Sequence, residues 1–80
     1  METANVEEIV NARFAEIMNL NPEELNLDAD LFAEYGLTSV NALKLISQVE
    51  VEFDIDIDED EARNIHKLND VIDLIKNKST

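Results

Sequence analysis

Ser39, within Gly36-Leu37-Thr38-Ser39-Val40, is the side chain whose surroundings most suggest chemistry. Apolar residues follow at Val40, Leu43, Ile46, Val49 and Phe53, a helical period with no Gly or Pro inside it. The serine therefore falls at the first turn of an apolar helix. Gly36 can supply the turn before it, and Thr38 or Ser39 can cap the helix through a side-chain oxygen. At such a turn backbone N–H groups point outward and the helix dipole is positive, which suits a bound phosphate.

The same serine has no machinery for catalysis. His66 is the only histidine, there is no Cys, and the spacing is G-x-x-S, not the G-x-S-x-G elbow. A serine nucleophile needs a base within hydrogen-bond reach and a third group to orient that base. His66 lies between Ile65 and Leu68 ahead of the last helix and reads as a loop or cap residue. No catalytic residue is expected.

Asp54, Asp56 and Asp58 fall at positions 1, 3 and 5 of a calcium loop, but the rest of the loop is missing. Glu59 stands where a Gly must turn the chain, and Ile65 where a bidentate Glu must close the shell. No specific metal site is expected. The eight carboxylates from Glu50 to Glu61 suit weak divalent-ion association at most.

Three main helices and one short one can position these residues. The first runs from about Thr3 to Met18, with Val6, Ile9, Val10, Arg13, Phe14 and Ile17 on one stripe and Thr3 or Asn5 as its cap. The second runs from about Ser39 to Phe53. Its core stripe is Ala42, Leu45, Ile46, Val49 and Phe53, leaving Val40, Leu43, Lys44 and Ser47 outward. A short helix is expected over Glu59–Asn64 and a last one over Leu68–Asn77, burying Leu68, Val71, Ile72 and Ile75. Between the first two, Asn21-Pro22-Glu23-Glu24 can form one helical turn. Leu20, Leu25, Leu27, Leu31, Phe32 and Leu37 are too many apolar residues for a free linker, so this reads as an ordered loop packed across the bundle. Asp54-Ile55-Asp56-Ile57-Asp58 alternates like a strand but has no partner, so it is expected as extended loop with Ile57 turned inward. The fold class is all-α, a small four-helix bundle with a long ordered loop between helices 1 and 2.

Composition narrows the partners. Eighty residues, 45% of them hydrophobic, make one small domain over 1–80, with a single core to bury. A net charge of −13 disfavours nucleic acid and anionic lipid and favours basic protein surfaces. The absence of Cys fits a reducing cytoplasm, and no segment is apolar enough for a leader or a membrane span. Beginning at Met1 and ending in Asn77-Lys78-Ser79-Thr80 favours a discrete protein, expected to be a monomer.

Together these residues resemble the acyl and peptidyl carrier proteins, the phosphopantetheine-binding four-helix domains. The likeness spans nearly the whole chain: the amphipathic first helix, the loop ending Leu31-Phe32-Ala33-Glu34-Tyr35-Gly36, the Ser39 signature, Glu50-Val51-Glu52-Phe53-Asp54, then Ile57, Ala62, Ile65 and the last helix. The resemblance implies that Ser39 receives 4′-phosphopantetheine, derived from coenzyme A, from a phosphopantetheinyl transferase. The arm then carries acyl, aminoacyl or peptidyl groups as thioesters between loading, synthase or condensation enzymes. It also implies a partner-binding set of Thr38, Val40, Asn41, Leu43, Lys44, Ser47, Glu50, Val51, Ile57 and Ala62.

The sequence departs from the family at two places. Most members have Asp-Ser-Leu, where this chain has Thr38-Ser39-Val40. Asn41 and Lys44 stand where acids are common in fatty-acid carriers. Both departures point to a specialised polyketide or nonribosomal peptide pathway ahead of bulk fatty-acid synthesis. The competing class is an acidic helical adaptor, or a weak divalent-ion-binding protein, in which Ser39 is only a helix cap.

Overall fold

The computed structural model describes residues 3–79, and the side chains of 6–78. Five helices, α1 Thr3–Met18, α2 Leu31–Tyr35, α3 Ser39–Phe53, α4 Glu59–Arg63 and α5 Leu68–Ser79, and one 3-10 turn, Pro22–Glu24, make up the regular structure. There is no strand among the described residues. The fold is the small helical bundle expected, with one more short helix (α2) inside the long loop. The proposed caps of α1, Thr3 and Asn5, have side chains outside those described.

Each long helix contributes one apolar stripe to a common core. Val6, Val10 and Phe14 come from α1, Leu45 and Val49 from α3, and Leu68, Val71, Ile72 and Ile75 from α5. Phe14 is completely enclosed, and burying a side chain of that size contributes about 1.5–3 kcal/mol. Ala42, Ile46 and Phe53, expected inside, are only partly buried and pack against the edge of this core.

The loop between α1 and α3 is ordered because it is fastened at several points. Leu31 and Leu37 drop into the core, while Leu20 and Phe32 stay exposed, unlike the expectation for them. Asp30 caps α2, its carboxylate accepting from the N–H groups of Phe32 (2.9 Å) and Ala33 (3.0 Å). Those bonds, Ala33 first, hold the Asp30 carboxyl below the usual carboxylate range, against the opposing effect of burial and with help from the charge of His66. The Leu31 N–H donates to the His66 carbonyl at 2.7 Å and the Asn69 N–H to the Leu27 carbonyl at 3.1 Å, stitching the loop to the start of α5. Tyr35 sets its ring edge-on to Phe14, 5.5 Å between centroids, and its hydroxyl accepts from the Asn26 N–H at 2.8 Å.

After α3 the chain reverses at Asp54, which adopts a left-handed φ of 53°, tolerable for an Asp. The segment to Asp58 is extended, with Ile57 against the core, as expected, and Ile55 against it as well. Asp58 and Glu61 form a reciprocal capping box that starts α4, one residue shorter than the Glu59–Asn64 expected. The last helix runs two residues further than Asn77.

Candidate functional site

Gly36 ends α2 in the left-handed region, φ 66°, where its N–H donates to the Phe32 carbonyl at 3.1 Å. A Cβ there would meet no neighbour, so the requirement is one of backbone conformation alone. The turn buries Leu37 and delivers Thr38 in extended geometry, φ −99° and ψ 166°, as the N-cap of α3. Thr38 Oγ1 accepts from the Asn41 N–H at 3.1 Å.

That single bond decides the status of Ser39. Sequence left the cap open between Thr38 and Ser39, and Thr38 takes it. Ser39 is the first helical residue, exposed, and its hydroxyl has no hydrogen-bond partner among the described residues. The N–H groups of Ser39 and Val40 likewise have no acceptor among them, as the start of a helix requires. The turn is held from beneath where the Asn41 side chain donates to the Met18 sulfur at 3.5 Å, joining the start of α3 to the end of α1.

The ten residues of the expected partner face divide into two groups. Thr38, Val40, Leu43, Lys44, Ser47 and Val51 are exposed, with Val40, Leu43 and Val51 at 63%, 65% and 84% of full exposure. Asn41, Glu50, Ile57 and Ala62 are half-buried and engaged elsewhere. Asn41 meets Met18, and a Glu50 carboxylate oxygen accepts from the Ile57 N–H at 2.9 Å. Ile57 and Ala62 instead line an apolar slot of about 30 Å³ between α3 and α4, bordered also by Phe32, Ile46 and Ile65. A slot of that size is large enough to hold a water molecule, which needs about 10–15 Å³. The slot went unnoticed in the sequence, since it depends on how α4 lies across α3.

Residues 8–75 match the family described as "Phosphopantetheine attachment site". The chain belongs to that family of carriers. It is similar to the acyl carrier protein of Nitratidesulfovibrio vulgaris (strain DP4), 34% identical over 74 residues, 92% of this chain and 97% of that one. The acyl carrier protein of Thermosynechococcus vestitus is 30% identical over 78 residues, covering 98% and 96%. That of Buchnera aphidicola subsp. Acyrthosiphon pisum is 33% identical over 75 residues, covering 94% of each.

As a member, the carrier holds 4′-phosphopantetheine covalently and serves enzymes without being one. The first turn of α3 fits that group: an exposed, uncommitted hydroxyl stands beside two N–H groups free to face a phosphodiester. No helix among the described residues is long and apolar enough to cross a membrane.

Proposed function

We propose that Ser39 is the attachment residue and that one carrier domain, spanning 1–80, presents acyl cargo to enzymes docking on the outward face of α3. The observation that supports this reading is the division of labour at the turn: Thr38 caps the helix, so Ser39 is not needed for capping. An adaptor whose serine served only as a cap would have that hydroxyl accepting from the Asn41 or Ala42 N–H. Once attached, the arm supplies a terminal thiol on a flexible tether, on which cargo rides as a thioester. The chain's own part is to offer Oγ, to hold the turn rigid through Thr38 and Asn41, and to keep the phosphate beside the positive end of α3. On modification the Oγ–P bond forms as the pyrophosphate linkage of coenzyme A breaks and its adenosine 3′,5′-bisphosphate half leaves. The Oγ proton goes to a base outside this chain, since no side chain among the described residues hydrogen-bonds Ser39.

Thr38, Asn41 and Lys44, in place of the acids common at those positions, favour a specialised polyketide or nonribosomal peptide enzyme set, and the absence of Cys favours the cytoplasm. A general acyl carrier is the second reading, favoured by the name "Acyl carrier protein" shared by the relatives. The test is intact mass after incubation with coenzyme A and a broad-specificity phosphopantetheinyl transferase. The wild type gains one phosphopantetheinyl group, and Ser39→Ala gains none while melting as the wild type does. A modified Ser39→Ala overturns the assignment.

A further inference from the structure

We propose that Lys44 selects the partner: the enzymes that load this carrier meet α3 with an apolar patch that places a carboxylate opposite Lys44, and not with a basic patch. This rests on the carrier reading above and specifies the chemistry of the docking enzyme. At 100° per residue, Val40, Leu43, Lys44, Ser47 and Val51 fall within a sector of about 100° that runs the length of α3. The apolar members are far more exposed than their type favours, and Val40, Leu43 and Lys44 line one shallow groove.

Charge within this sector contradicts the charge of the whole molecule. Nineteen acids face six bases in the chain, yet Lys44 has no ion-pair partner among the described residues. Its neighbours one turn away, Val40, Asn41, Ser47 and Gln48, are all uncharged, so no helical pair can neutralise it. The two acids of α3 are both held by other elements. Glu50 accepts from the Ile57 N–H, and Glu52 accepts from the Arg13 guanidinium at 2.8 and 3.1 Å. The outward face therefore offers apolar surface and one unmatched cation. A basic partner would leave Lys44 against like charge in a desolvated interface, whereas a carboxylate there completes it.

The experiment measures loading of the full-length holo carrier by the acyl-loading enzyme of the source organism with the highest kcat/KM on the wild type. Lys44→Glu raises KM about tenfold with kcat within about twofold, as charge complementarity at a docking face requires. Lys44→Arg keeps the wild-type KM. Added salt weakens loading of the wild type more than of Lys44→Gln, because the variant has no charge there to screen. Lys44→Glu loading as well as the wild type, or better, overturns the proposal. Failure of the attachment reading shows separately, as modification of Ser39→Ala by the transferase before any loading enzyme is added.

Discussion

The outward face of α3 and the acidic stretch from Asp54 to Glu61 lie next to each other in sequence and use their side chains in opposite ways. In the acidic stretch and α4, which begins within it, charges are tied to structure. Asp58 and Glu61 cap α4 reciprocally, Glu59 and Asp60 both reach Arg63, and Glu61 also takes Lys78 at 2.9 Å. On α3, Val40, Leu43 and Val51 touch little of their own molecule. The most conspicuous charge in the sequence is thus largely occupied with local folding. The side chains left free for a partner are the apolar ones that composition alone would assign to the core.

Two leucines two positions apart carry this contrast to its largest effect. Leu45 is 2% exposed and Leu43 65%. Leu45→Ala is expected to lower unfolding free energy by about 2–5 kcal/mol, and Leu43→Ala by no more than about 0.5 kcal/mol, measured by urea denaturation. In loading of the holo carrier the order reverses: Leu43→Ala costs about 2 kcal/mol in kcat/KM. Asp56→Asn changes mainly the salt dependence of that rate. An Asp56→Asn defect larger than that of Leu43→Ala would place the docking surface on the acids.

Asp58→Ala comes next in size. It removes the half of the capping box in which the Asp58 carboxylate accepts from the Glu61 N–H, leaves the Asp58 N–H to Glu61 half in place, and should cost about 1 kcal/mol, read from the urea midpoint. No change would mean that the acids around α4 are not structural and are free for a partner after all.

The smallest effect concerns Asp30, away from both regions and a reference for an acid whose task is purely to cap. Its carboxyl is held below its ordinary value by the N–H groups of Ala33 and Phe32. A depressed folded pKa stabilises the fold above the unfolded value, about 3.9, and that contribution is lost as pH falls below it. Asp30→Asn keeps an acceptor oxygen and loses the titration. Its urea midpoint should therefore fall less than that of the wild type between about pH 5 and pH 3, and parallel curves would remove Asp30 from the acid limb.

What the sequence made legible follows the range of the interactions involved. The limits of α3, Ser39 to Phe53, are set by neighbouring residues, Thr38 capping one end and Asp54 turning the other, so they could be read locally. The five residues of α2 are too few to show a period. They form a helix because Asp30 caps them, Leu31 is buried and the Leu31 N–H finds the His66 carbonyl, partners 35 positions apart. The inward turn of Glu50 was equally hidden. It stands on the outer side of its helix pattern, and only the reversal at Asp54 brings the Ile57 N–H to it. At the candidate site the residue types pointed to Ser39, while the choice of Thr38 as cap required the backbone angles of the turn.

The attachment of α4 sets a hierarchy of motion. This helix has no fully buried residue; the polar links that fasten it are Glu50 to the Ile57 N–H, two residues ahead of it, and Glu61, at its centre, to Lys78. α1 and α5, by contrast, share completely enclosed side chains such as Phe14 and Ile75. Local opening free energies follow buried apolar contact, so α4 detaches at far lower cost than the α1–α5 pair. Amide protons of Ala62 and Arg63 are therefore expected to exchange faster than those of α1 and α5, measured by native-state hydrogen exchange. Because Ala62 of α4 forms one wall of the apolar slot, any such opening is expected to enlarge that slot ahead of the rest of the interior.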